Sequence, residues 1–187
     1  MKRIAIFASG EGTNAEAIVK YFASNNDINV EIVLSNRLSA GVHERMNRLG
    51  IPTITFSNEE WQQSSKIINK LKELSIDLIV LAGFLTIIQS PIINAFIGRI
   101  VNIHPSLLPR HGGSGMWGMN VHRSVLESGD KESGITIHYV DELVDGGEII
   151  AQYKCEVKND DTPEVLANRV HSLEYYYYPR VIEEILI

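Results

Sequence analysis

Through the first hundred residues, short aliphatic and β-branched runs alternate with longer amphipathic segments, a pattern that dictates an α/β fold with a parallel sheet. Parallel neighbours need a crossover of a dozen or more residues, and helices supply it. The runs predict strands at Arg3 to Ala8, Asn29 to Ser35, Thr53 to Phe56, Leu78 to Ala82 and Ile100 to His104. Between them fall helices from Asn14 to Ser24, from Gly41 to Leu49 with Gly50 as its stop, and from Glu59 to Leu74. Ser57 and Glu60 have the spacing of a capping box for the third helix. The longest apolar stretch, "LIVLAGFLTII", has 11 residues and is bounded by Asp77 and Gln89. It is too short to span a bilayer and reads as a buried strand with its following loop.

Beyond His104 the period is lost. Residues 110 to 120, "RHGGSGMWGMN", carry four glycines and read as a mobile loop. A short helix near His122 to Ser128 follows, then "GITIHYV" and "GEIIAQYKCEV" as two strands flanking "DELVDGG". The link is too brief for a crossover, so these two pair antiparallel. Thr162 as cap, Pro163 at the first helical position and Glu164 behind it open a closing helix. The run Tyr175 to Tyr178 lies in that helix and is expected to pack against the sheet with its hydroxyls toward solvent. The expectation is an open, twisted, mostly parallel Rossmann-like sheet with helices on both faces, an antiparallel C-terminal strand pair and a closing C-terminal helix. No linker or repeat interrupts the 187 residues, so residues 1–187 are read as a single domain.

Charge and cysteine usage narrow the function. A formal net charge of −6 with no basic run argues against a nucleic-acid groove, so any anionic ligand must be met locally. A single cysteine, and an N-terminal apolar run far shorter than a signal peptide needs, point to a reducing cytoplasm and no membrane. At this length a chain buries roughly 70% of its unfolded surface, so no metal or disulfide staple is required.

Three constellations could carry chemistry. In "FASGEGTNAEAI" a strand enters Gly10, Glu11, Gly12, Thr13 and Asn14 and then a helix, so backbone N–H groups and the helix end could hold a phosphate. A tight turn alone would look the same. Neither nucleotide fingerprint is complete: no Gly-Lys-Ser/Thr follows, and Ala15 stands where a third glycine is wanted. In "NIHP", Asn102 and His104 are two apart on a strand and face the same way, at the carboxyl end of the sheet where open α/β folds bind ligands. An amide donor beside an imidazole suits an oxyanion and its proton donor. In "VDELVDGGEII", Asp145 precedes two glycines in what is either a plain acidic hairpin or, if the fold brings it to His104, a carboxylate that favours the imidazolium. The six histidines lack zinc-site spacing and Cys155 is far from them, so no metal is expected. Cys155 has no cationic neighbour but Lys154, which points to the opposite strand face, so it is no nucleophile.

Taken in order, "SGEGTN", "LAGF", "NIHPSLLP", "HR", "GITIHYV" and "DGGEII" resemble the folate formyltransferase family, and "SGEGTN" narrows the resemblance to its phosphoribosylglycinamide formyltransferase (glycinamide ribonucleotide transformylase) branch. The resemblance implies an enzyme that moves the formyl group of the cosubstrate 10-formyltetrahydrofolate to the amine of glycinamide ribonucleotide in de novo purine biosynthesis. It implies no metal, small-molecule partners only, and a monomer or homodimer. By the same resemblance, Gly12, Thr13 and Asn14 hold the substrate phosphate, with His171 to Glu174 completing the ribose and phosphate site. Leu85, Thr86, Ile87 and Ile88, with Asn102 and with Asp141, Glu142, Leu143, Val144 and Asp145, form the folate pocket, and Asn102, His104 and Asp145 are the catalytic trio. The sequence departs from the family at Thr86, where many relatives carry arginine, at Asn120, which replaces a histidine, and in the length of the glycine-rich loop, expected to act as a flexible cover. Two other readings compete: a formyl enzyme acting on methionyl-tRNA or hydrolysing the formyl group, each with an extra domain, and a nucleotide-binding module without catalysis.

Overall fold

The structure, a computed structural model, describes all of residues 1–187. Strands β1 (Lys2–Phe7), β2 (Ile28–Ser35), β3 (Thr53–Thr55), β4 (Leu78–Leu81), β5 (Ile100–His104), β6 (Glu132–Tyr139) and β7 (Ile149–Glu156) form one sheet in the order β3-β2-β1-β4-β5-β6-β7. Pairing is parallel from β3 to β5 and antiparallel at β5–β6 and β6–β7. The chain runs outward from β1 through β2 to β3, then returns to start β4 on the other side of β1. The crevice at the carboxyl ends of β1 and β4 is therefore the topological switch point, where α/β sheets hold ligands.

Helices cover both faces, which is why β1 from Ile4 to Phe7 and all of β4 are apolar on both sides. Along β1, Ile4 and Ile6 enter a cluster of 27 buried residues beneath α1 (Thr13–Phe22) and α7 (Pro163–Leu186), whereas Ala5 and Phe7 enter a second cluster of 16 on the opposite face. That second face is closed by α3 (Asn58–Gln63), α4 (Ser65–Glu73) and α5 (Ser90–Ala95). The remaining helices are α2 (Val42–Arg48) and α6 (Met119–Ser128). No helix is long and apolar enough to cross a membrane.

Three local expectations need correcting. The helix expected from Glu59 to Leu74 is two: Ser64 takes a left-handed φ of 62° and breaks it, with its hydroxyl donating to the Trp61 carbonyl at 3.0 Å. The capping box at its start is complete, with Ser57 Oγ accepting the Glu60 N–H and Glu60 Oε2 accepting the Ser57 N–H. Helix α5 was not foreseen. Finally, the tyrosine run does not turn all its hydroxyls outward. Tyr178 is fully buried, and its hydroxyl donates to the Leu81 carbonyl at 2.9 Å, with that of Val101 at 3.3 Å. Tyr175 and Tyr176 are exposed rather than packed on the sheet, and Tyr177 stacks on Tyr153 of β7.

Candidate active site

A cavity of about 630 Å³ opens at the switch point, and the site residues expected from the sequence line it, except that within His171 to Glu174 only the two end residues do so. The lining contains no lysine or arginine, so an anion there must be met by backbone N–H groups and imidazoles.

At one end lies the loop from β1 into α1. Gly12 caps the helix at φ 74°, no side chain caps it, and the first intrahelical bond is from Glu16 N–H to the Gly12 carbonyl. The N–H groups at the start of α1 thus lack helical partners, which with the helix dipole makes an anion cradle. Gly12 is required for a second reason: a Cβ there would lie 2.5 Å from Val42 of α2. Behind the cradle, Asn14 Nδ2 donates to Glu174 Oε2 at 2.8 Å, joining α1 to α7. Glu174 is 5% exposed, and burial pushes its carboxyl up to about 7 even though the Asn14 amide favours the charged form. His171 stands nearby, held below the ordinary histidine range by burial. His122, edge-on to His171, is pushed down to about 4 by burial and by the neighbouring imidazoles.

At the centre, β5 presents Asn102 and His104 on one face, as their spacing requires. His104 is 4% exposed; its Nε2 donates to the His111 carbonyl at 2.8 Å and its Nδ1 lies 3.5 Å from Asp145 Oδ2. The fold does bring the hairpin carboxylate to the imidazole. Asp145 sits at φ 55° in the turn before β7, and its Oδ2 also accepts the Gly113 N–H at 2.9 Å. Burial alone would raise its carboxyl, but His138, His104 and the Gly113 amide outweigh burial and hold it below the ordinary aspartate range. For His104 the balance runs the other way. Burial is the largest influence and holds the imidazole below the ordinary value of 6.5, although the Asp145 charge and the His111 carbonyl both pull it up. The expectation that Asp145 raises the pKa of His104 is therefore right in direction for that pair and wrong for the net shift, because the cost of burial was not legible from spacing.

The sequence reading missed His138. It lies opposite Asn102 in the antiparallel register of β5 and β6 and buries all but 2% of its surface. Its Nδ1–H donates to the Tyr139 carbonyl at 2.8 Å, and its Nε2 lies 3.2 Å from Asn102 Nδ2 and 3.7 Å from Asp145 Oδ1. His138 thus ties Asn102 to Asp145. Only the register reveals this, and no local motif encodes it.

The other wall is formed by Leu85 to Ile88 and Asp141 to Val144. Thr86, the position at which the resemblance leads one to expect arginine, is held within the wall by side-chain hydrogen bonds. Ser9 Oγ donates to Asn36 Oδ1 at 2.7 Å, Asn36 Nδ2 donates to Thr86 Oγ1 at 2.6 Å, and the Leu85 N–H donates to Ser9 Oγ at 2.9 Å. Asn120 is outside the cavity: its amide donates to the Gly115 carbonyl and ties the glycine-rich loop to α6. That loop is built of hydrogen-bonded turns, and its residues Gly113 to Met119 line the cavity mouth, with Trp117 56% exposed.

This geometry has counterparts. A family model described as "Formyl transferase" matches residues 2–182. Over 191 residues the chain is 38% identical to the phosphoribosylglycinamide formyltransferase of Bacillus subtilis, covering 100% of this chain and 95% of that protein. It is 39% identical to the chloroplastic enzyme of that name from Arabidopsis thaliana, covering 97% of this chain but only 64% of that one. The crystal structure of glycinamide ribonucleotide transformylase 1 from Geobacillus kaustophilus superposes with a TM-score of 0.90 at 38% identity, covering 100% of both chains. The phosphoribosylglycinamide formyltransferase of Streptococcus pneumoniae TIGR4 does so with a TM-score of 0.89 at 35% identity, again over 100% of both. A match of this extent, on a sheet whose switch point carries the glycine cradle and the Asn102–His104 pair, makes the chain a member of the formyl transferase family.

Proposed function

We propose that this chain is a phosphoribosylglycinamide formyltransferase, carrying the formyl group of 10-formyltetrahydrofolate to the amine of glycinamide ribonucleotide, a step of purine biosynthesis. The observation that carries the reading is that one cavity joins an uncapped helix start, an apolar and acidic wall, and the Asn102, His104 and Asp145 group between them. The phosphate ester fits the Gly12 to Asn14 cradle, with the ribose hydroxyls toward Glu174 and His171. The pteridine lies along Leu85 to Ile88 and Asp141 to Asp145, and the two ligands meet at Asn102.

The chemistry follows from those positions. The neutral substrate amine attacks the formyl carbon, forming the C–N bond and placing negative charge on the formyl oxygen. The amide of Asn102 donates to that oxygen. Both nitrogens of His104 are turned to His111 and Asp145, so the charged imidazole acts on the oxyanion through its field. The proton lost by the attacking nitrogen passes to the folate nitrogen, with Asp145 placed to hold the water that relays it, and the bond from the formyl carbon to folate then breaks. No covalent enzyme intermediate is needed. A soluble, cytoplasmic setting is part of the same reading, supported by the single thiol.

The test is spectroscopic release of tetrahydrofolate from the formyl donor by the purified protein, with and without glycinamide ribonucleotide. Release that depends on the ribonucleotide supports the reading. Release without it would make the protein a hydrolase, and no release under either condition would reject the transfer altogether.

A further inference from the structure

We propose that His111 is a positioning residue for the formyl transfer, its side chain fixing the loop backbone that holds both His104 and Asp145; this rests on the function proposed above. His111 lies where the glycine-rich loop leaves the "HPSLLP" segment. Its Nδ1 is 2.8 Å from Ser124 Oγ on α6, and its Nε2 is 2.9 Å from Asp130 Oδ2 just beyond that helix. Asp130 is braced in turn by Arg110, whose Nη1 lies 3.0 Å from Oδ1. The imidazole is 12% exposed and satisfied at both nitrogens, so its own atoms are not offered to a ligand.

What the anchored residue offers is backbone. The His111 carbonyl accepts the His104 Nε2–H at 2.8 Å and faces the Ser106 hydroxyl at 3.4 Å. Two residues on, the Gly113 N–H donates to Asp145 Oδ2 at 2.9 Å. Both partners of the His104–Asp145 pair are thus gripped by one short stretch, residues 111 to 113. That stretch carries strain. His111 has a φ of 54°, in the left-handed region that a residue with a Cβ seldom adopts and keeps only when its surroundings over-determine it. The clamp between Ser124 and Asp130 provides that determination. Without it the peptide relaxes, the carbonyl swings from His104, and the Gly113 amide from Asp145.

The experiment compares wild type with His111→Ala, His111→Gln and Asp130→Ala. Titrating His104 by NMR, through its ring signals assigned in full-length protein, needs no substrate. His104 faces Asp145, His138, His111 and His122, and of these only residue 111 changes in the His111 variants. In His111→Ala the loss of the carbonyl that favours the charged form outweighs the loss of the His111 ring that opposes it, so the His104 titration should move to lower pH, and the low-pH bend of the kcat profile should move with it. We expect kcat to fall about tenfold to a hundredfold, the scale of a displaced catalytic group, with KM for both substrates within about twofold. His111→Gln, which keeps a donor toward Asp130, should recover part of kcat. A variant that loses only thermal stability, with the titration and pH profile unmoved, would overturn the proposal. If His111→Ala does not fold, Asp130→Ala removes the anchor from the other side and carries the same test. An inactive wild type would reject the functional reading alone, since the titration would still report whether His111 holds His104.

Discussion

Asp145 holds its unusual position at a cost: a left-handed backbone and a half-buried carboxylate, offset by the Gly113 amide and two imidazoles. Its charge is what opposes the burial of His104. In the proposed reaction, rate rises with pH as the substrate amine loses its proton and falls as His104 loses its own. Burial already holds His104 below 6.5, so removing the carboxylate lowers it further. The amine, with an ordinary α-amino value of roughly 7.7–8.0, titrates above that histidine, so the low-pH bend of the profile follows His104: in Asp145→Asn that bend should move to lower pH and the maximum should drop, and single-turnover transfer across pH would show it. A bend and maximum that both stay in place would leave Asp145 as an ordinary turn residue. Asn102→Ala should lose 10²–10³ in turnover, roughly the worth of one oxyanion donor, and still bind ribonucleotide. Its neighbour Ile103, 7% exposed on the other strand face, should instead cost about 2–5 kcal/mol of stability when cut to alanine, seen in urea unfolding. The contrast between 102 and 103 was legible because strand periodicity is local. His138 was not legible, because its role depends on which residue of β5 it faces.

At the scale of elements, the strands were readable from composition alone, since a central parallel strand must be apolar on both faces. Helix breaks were harder. Across Gln63 to Lys66 the amphipathic period continues without a glycine, yet Ser64 turns left-handed and returns its hydroxyl to Trp61, a local hydrogen bond that hydrophobic periodicity does not encode. Helix α5 is too short to show a period, although Pro91 in its first turn was a usable start signal. The glycine cradle was legible as a loop, but the reason for Gly12 was not: a side chain there strikes Val42 before it reaches any ligand. Gly12→Val should therefore unseat α2 from the loop, and it is a poor probe of phosphate binding. Thr86 is the better probe of its own wall. Thr86→Val keeps the shape but removes the acceptor for Asn36, so KM for the folate should rise about threefold to tenfold, the worth of one hydrogen bond, with KM for the ribonucleotide unchanged. Equal rises in both would mean that the Ser9–Asn36–Thr86 chain supports the whole switch point.

The whole molecule is needed to place Glu174. It is 160 residues from Asn14, and they meet because α7 returns across the sheet to lie on α1, a closure that no local pattern announces. The family resemblance placed both residues at one site; the structure supplies their hydrogen bond and its energetics. An unfolded chain releases the Glu174 proton near the ordinary value of 4.5, whereas the folded protein holds it to about 7. A group whose pKa is raised by folding contributes its full stability below the unfolded value and loses it as pH rises through the folded one. Between pH 4.5 and 7 ionisation of Glu174 should thus cost the fold on the order of 3 kcal/mol. His104, His122 and His171, held down by burial, act in the opposite sense over part of that range, so the stability of the wild type alone does not isolate Glu174. Glu174→Gln does isolate it, because glutamine is neutral throughout, can still accept from Asn14, and leaves the histidines in place. Urea unfolding of both proteins at intervals from pH 4 to 8.5 should show the variant gaining on wild type through this window and the gap levelling off above it. A gap independent of pH would mean that Glu174 ionises as freely in the folded protein as in the unfolded chain, and that the wall behind the phosphate cradle is wetter than the packing of α7 on α1 implies.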